Sequence, residues 1–270
     1  MIIKIITNIY YKFKELLYFK NFDEIKKLKN SKSNKSLFLF GNGKSLNMID
    51  FKKINLYQKN NFDVMATNNF LFSNIYKIVI PNYYVFTDER IIFPKKKYFS
   101  NKKKFASKYQ EVLIAQNRLE KLNCTIFIPH IYKKRIFKNK TILFNGYINK
   151  YSKNFIDVSK ARNCFYLTGI SALSIACYLG YKKIYICGID NDQWKNINVN
   201  KNNEGTFISS YFYDKKKSKI YFKENIHEFL ETWVQIFRSF YKFKNLNIIN
   251  LDPNSTFNFF KKKHNLNLYK

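Results

Sequence analysis

The chain has 270 residues, 46% of them hydrophobic, and a formal net charge of +31 at pH 7. It is long and apolar enough to bury a real core, which excludes a disordered tail. Four cysteines (Cys124, Cys164, Cys177, Cys187) without a CxxC pair exclude a disulfide-stapled secreted mini-protein and read as reduced cytosolic thiols. Nearly all the positive charge is lysine. Arginine occurs only at 90, 118, 135, 162 and 238. Base-edge recognition favours bidentate arginine, so nucleic acid is not the expected partner, and an anionic membrane surface or a plainly solvated lysine face is.

In chain order, residues 1–20 place Ile2, Ile5, Ile6, Ile9, Phe13, Leu16 and Leu17 mostly on one side of a helix. Lysines at 4, 12, 14 and 20 interrupt that run, so it is neither a membrane span nor a signal peptide. A basic helix lying at a lipid interface and a helix packed on its own domain both fit. A lysine-rich linker closes this first region at residue 35, and the folded domain is expected over residues 36–260, with a basic tail over 261–270.

Ser36-Leu37-Phe38-Leu39-Phe40 is a continuous apolar run of the kind that buried parallel strands show. It leads into Gly41-Asn42-Gly43-Lys44-Ser45-Leu46, a glycine-rich turn ahead of helix-compatible sequence, where backbone N–H groups can meet a phosphate. The loop is neither a Walker A nor a full GxGxxG. Strands over 62–66 and 83–86 end in Thr67-Asn68-Asn69 and Thr87-Asp88-Glu89-Arg90, small polar groups at the strand ends where open α/β sheets keep their ligands, which makes Thr87 a donor-side candidate. Residues 95–160 suggest a helix and two further strands. Thr168-Gly169 then opens a helix of good formers closed by Gly180, and Lys183–Cys187 reads as a strand ending at Gly188-Ile189-Asp190. A long Asn/Lys-rich stretch over 192–219 is expected to be a lid, and a helix over 223–242 and a strand over 246–250 complete the alternation. The fold class is therefore α/β: a doubly wound, Rossmann-like parallel sheet in one nucleotide-binding domain, with a lid loop and an extra N-terminal helix.

Taken together, the Gly41–Leu46 turn, Thr67-Asn68-Asn69-Phe70, Thr168-Gly169 leading to Leu179-Gly180-Tyr181-Lys182-Lys183-Ile184-Tyr185, Gly188-Ile189-Asp190 and Asp252-Pro253-Asn254-Ser255 resemble the bacterial sialyltransferases of glycosyltransferase family 42. They also resemble the wider group of motility accessory factors and pterin-pyrophosphokinase-like proteins. The likeness runs from Ser36 to about Phe260 and implies a GT-A-like variant of the Rossmann sheet. It implies that Asn42, Gly43 and Ser45 hold the nucleotide phosphate and ribose, that Asn68 touches the nucleotide sugar, that Thr168 and Gly169 meet the donor, and that Gly188 and Asp190 meet the cytidine end.

The reaction so implied is inverting, metal-independent transfer of an acidic sugar from a CMP-linked donor to a glycan of a surface lipooligosaccharide or polysaccharide, on the cytoplasmic side and peripheral to the inner membrane. No metal or other cofactor is expected. Without a metal, the leaving phosphate needs preorganised donors, and Tyr211 and Tyr213 in the lid are the candidates. The family's lid pattern Ser-His-Tyr-x-x-His reads Ser210-Tyr211-Phe212-Tyr213-Asp214-Lys215 here, so both histidines are missing, including the general base. Asp192 and Asp214 are the candidate replacements. His227 falls on a helix surface, and His130 and His264 have no partner in the sequence. Two other readings stay open: a pterin-pyrophosphokinase-like enzyme using ATP and magnesium held by Asp88 and Asp190, and an inactive nucleotide-sugar-binding protein. Oligomeric state is left open.

Overall fold

The computed structural model describes residues 2–17, 22–94, 103–132, 137–209, 211–213, 218–222, 225–263 and 268–270. Among these the strands are β1 (Ser36–Phe40), β2 (Phe62–Thr67), β3 (Tyr83–Val85), β4 (Thr125–Pro129), β5 (Thr141–Phe144), β6 (Lys183–Cys187), β7 (Ile197–Val199), β8 (Gly205–Ser209), β9 (Ser218–Phe222), β10 (Ile248–Asn250) and β11 (Lys261–Lys262). The helices are α1 (Ile2–Leu17), α2 (Asp23–Lys27), α3 (Phe51–Lys59), α4 (Glu89–Ile92), α5 (Lys103–Glu120), α6 (Thr168–Leu179) and α7 (Ile226–Tyr241).

Eight strands form one sheet in the order β11-β10-β6-β1-β2-β3-β4-β5, with every pairing parallel. Both faces are covered, which is why β1 reads as unbroken apolar sequence. Leu37 and Leu39 face a core shared with Ile170, Leu173, Phe240 and Phe243 of the α6/α7 side. Phe38 and Phe40 face the opposite core with Ile54, Phe70 and Leu119. The doubly wound sheet expected from the alternating pattern is the one that forms.

α6 is buried on nearly all sides, because it lies against β1, β2 and β3 and shares its core with Ile236 and Phe240 of α7. Its C-terminus closes on Gly180 in the left-handed conformation (φ 82°). The segment before β1 supplies the rest of that cap: the N–H groups of Asn30 and Lys32 donate to the carbonyls of Tyr178 and Leu179 at 3.0 and 2.9 Å. Phe22 and Ile25 are fully buried in the α6-side core. The lysine-rich linker is thus packed structure, and the domain reaches back to Phe22. The basic tail is likewise built in, with β11 on the sheet edge, Leu268 buried, and the Asp50 N–H donating to the Leu268 carbonyl at 2.8 Å.

The stretch expected to be a lid loop contains regular structure. β7, β8 and β9 form a separate antiparallel sheet. Phe207 and Phe222 pack their rings on Phe229 of α7, at centroid distances of 5.4 and 4.3 Å.

Candidate functional site

The chain moves outward from β1 through β2 to β5, then returns to β6 on the other side of β1. The strand order therefore reverses between β1 and β6, and the carboxyl end of the sheet at such a switch point is where doubly wound folds bind ligands. A cleft of about 340 Å³ lies there, lined by the turn after β1, the ends of β2 and β6, and the N-terminus of α6.

The two loops are fastened to each other. Gly41 and Gly43 donate their N–H groups to the carbonyls of Cys187 and Gly188, at 2.9 and 2.7 Å. Ser45 donates from its hydroxyl and its N–H to the Asp190 carboxylate at 2.5 and 3.1 Å, and its hydroxyl accepts from the Gly188 N–H at 2.9 Å. A Cβ at Gly41 would collide with the Gly188 carbonyl, and one at Gly43 with the Asp190 carboxylate. Gly188 itself sits at φ 72°. These glycines are fixed by close approach of β1 and β6. The N–H groups of Gly41, Gly43 and Ser45 are accordingly taken within the protein, and the loop does not present them to a phosphate as the glycine-rich turn suggested. Burial pushes the Asp190 carboxyl up to about 6, against the opposing effect of its Ser45 hydrogen bonds.

Asn42 and Asn68 reach the cleft from neighbouring strand ends. The Asn42 amide donates to the Thr67 carbonyl at 3.1 Å, and the Asn68 amide to the Thr168 hydroxyl at 2.8 Å. The side-chain oxygens of both are buried without a partner. Asn68 holds a positive φ of 41°, and its carbonyl accepts from the buried Tyr84 hydroxyl at 2.8 Å. The Thr168 hydroxyl also meets that of Thr87, so Thr87 is tied to the rim of the cleft without lining it. No side chain caps α6, and Thr168 and Gly169 of its first turn line the cleft.

Asp192 is an exposed rim residue. Tyr211 lines the cleft and stacks on Tyr213, whose hydroxyl accepts from Asn69 at 3.0 Å, outside the cleft. Phe212 between them is the anchor: its N–H donates to the Asn42 carbonyl at 3.1 Å and its ring packs on Phe70. Asp214 and His264 lie outside the described residues. His227 is exposed on α7, and His130 is buried beside Phe22, with Nδ1 accepting from the Gly146 N–H. Asp88 caps α4 and is gripped by the Arg90 guanidinium at 2.8 and 3.0 Å.

Lining residues that sequence reasoning passed over are Leu167, Asn191, Gln193, Asn196 and Ile208. The strand-end rule points to Asn191. Nothing local marks Ile208, which arrives from the antiparallel sheet. Among the described residues no group of three or more His, Cys, Asp or Glu side chains is placed to hold a metal ion, and no helix is long and apolar enough to cross a membrane.

No protein-family model matches the chain, and no curated protein matches it. Among solved structures, the chain is similar to the MAf glycosyltransferase from Magnetospirillum magneticum AMB-1, at 11% identity and a TM-score of 0.49. The match covers 90% of this chain and 38% of that longer one.

Proposed function

We propose that this protein is a glycosyltransferase of the sialyltransferase-like kind, moving an acidic sugar from a CMP-linked donor to a surface glycan with inversion. The observation that carries the reading is the open end of α6. An uncapped helix N-terminus faces the crevice between β1 and β6, beside the unpartnered amide oxygens of Asn42 and Asn68. Such an end attracts a phosphate, and fixed amides suit sugar and ribose hydroxyls.

In this reading the acceptor hydroxyl oxygen attacks the anomeric carbon. The bond from that carbon to the CMP phosphate oxygen breaks, and the phosphate leaves with the electron pair toward the α6 N–H groups and Tyr211. The acceptor's proton goes to a carboxylate, for which Asp192 at the rim is the candidate in place. Asp190, held by Ser45, receives a hydroxyl or amino donor of the nucleoside. α1 rests on an anionic leaflet, which brings the site to membrane-bound acceptors.

Calorimetric titration of the full chain with CMP, UDP, GDP and ATP, each with and without magnesium, tests the proposal. CMP is expected to bind without metal, and Asn42→Ala to weaken it by roughly tenfold or more, as loss of a buried polar contact does. A preference for ATP with magnesium, or no nucleotide binding at all, would overturn it.

A further inference from the structure

Arg162 is an arginine that folding has hidden without a counter-ion. It is 3% exposed, its Nε and one Nη have no hydrogen-bond partner, and its other Nη reaches only the Asn145 carbonyl at a long 3.5 Å. Among the described residues no carboxylate forms an ion pair with it. The guanidinium lies over the Phe144 ring at 5.4 Å, a minor compensation for a buried charge. Beside it, the Asn145 amide nitrogen is also buried and unpartnered, and the Tyr166 hydroxyl, buried as well, has only the Tyr132 hydroxyl to pair with. Burial holds the Tyr166 phenol protonated well above its ordinary value, so it too is a donor.

Three nitrogen donors with no acceptor, beside a phenol that meets only another phenol, constitute an unmet demand for negative oxygen. The backbone holds them still: Arg162 donates its N–H to the Tyr147 carbonyl at 3.2 Å and accepts from Asn149 at 2.9 Å, while Asn145 donates to Val158 at 2.8 Å. Asn145 follows β5 directly, and Tyr166 stands two residues before α6. The group therefore lies at the same carboxyl edge of the sheet as the cleft, toward β5.

We infer that Arg162, Asn145 and Tyr166 form a second, buried anion site, distinct from the nucleotide cleft, that takes a compact oxyanion of the carboxylate or phosphate class. The planar guanidinium suits such groups through paired N–H donors. If the transferase reading is right, the inference adds a substrate class to it: an acceptor bearing an acidic substituent. The site itself does not depend on that reading.

The test is thermal unfolding and calorimetry of the full chain with acetate and inorganic phosphate. Sodium chloride serves as the control at constant ionic strength, because a chain of charge +31 responds to any salt. A saturable rise in Tm is expected with wild type, persisting at saturating CMP. Arg162→Met fills the same space without donors, and is expected to abolish the effect while leaving the variant as stable as wild type or more so. Tyr166→Phe, which keeps the ring, is expected to weaken the anion several-fold and decides the matter if Arg162→Met fails to fold. No saturable effect in wild type, an equal effect in the variants, or displacement of the anion by CMP would each overturn the site. Methyl β-glucuronide against methyl β-glucoside separates the sources: tighter binding of the glucuronide than of acetate assigns the anion to a sugar substituent, and acetate or phosphate alone assigns a free ion. Failure of CMP to bind would sink the transferase reading and leave the Arg162 comparison intact.

Discussion

Asp190 carries the chemistry of the cleft floor in one side chain. Its carboxylate receives two hydrogen bonds from Ser45, which favour the charged form, yet burial outweighs them and raises its titration to about 6. The sign for stability follows from linkage. With a folded value above the unfolded one of 3.8, the native state binds the proton more tightly between the two. Stability contributed by this group is then fully present below about pH 4 and lost as pH rises through 6, by up to about 3 kcal/mol at ~1.4 kcal/mol per unit. Asp190→Asn has no proton to lose, so its unfolding free energy measured in urea is expected to fall less than that of wild type between pH 4 and 6.5. Parallel curves for the two proteins would show that Asp190 is not the group responsible. The pairing itself was not legible: sequence placed Ser45 and Asp190 separately on a nucleotide, because a contact across 145 residues leaves no local trace. Arg162 was passed over for a related reason, since its burial is set by the zipping of residues 145–149 onto 158–162 and not by its neighbours in sequence.

At the scale of elements, α1 turns its apolar side away from the body. Ile5, Ile9, Phe13 and Leu17 are 50–64% exposed along one stripe, whereas Tyr11, on another face, comes within 6.1 Å of the Tyr147 ring. The amphipathic pattern was plain in the sequence, but its direction was not, since periodicity says which residues share a face and not what that face meets. An exposed apolar stripe beside lysines suits the boundary of an anionic bilayer. Flotation with phosphatidylglycerol-rich vesicles is expected to carry the full chain upward, neutral vesicles to carry it weakly, and raised salt to release it. Ile9→Glu with Phe13→Glu should cut vesicle binding by well over tenfold, given about 1.5–3 kcal/mol for each large apolar side chain, without lowering Tm. Unchanged flotation of that variant would remove lipid as the partner of α1. β7 to β9 escaped sequence reading for a different reason. Their residues lie among Asn and Lys with no strict alternation, and they are ordered instead by Phe207 and Phe222 meeting Phe229.

Across the whole molecule, what the sequence made legible was whatever the sheet's two buried faces demand: apolar runs at β1 and β6, and the largely apolar α6 ending at Gly180. The same arrangement distributes stability unevenly. β1 is paired on both sides, by β2 and β6, and its side chains from Leu37 to Phe40 are buried in two cores. The β7–β9 sheet stands apart from that ladder, and it reaches the cleft through Ile208 of β8 and through the short segment in which Phe212 donates to Asn42 and packs on Phe70. A unit with few ties opens at lower free energy than the centre it rests on. Native-state hydrogen exchange should therefore find the amides of β1, β2 and β6 exchanging only through global unfolding, and those of β8 through a sub-global opening several kcal/mol cheaper. Saturating CMP, if it binds as proposed, is expected to slow exchange in β8 and at Phe212 more than in β1, because Asn42, whose carbonyl anchors Phe212, lines the cleft. Equal opening free energies for β8 and β1 would mean that the small sheet is part of the rigid body, and the donor would then have to enter without its movement.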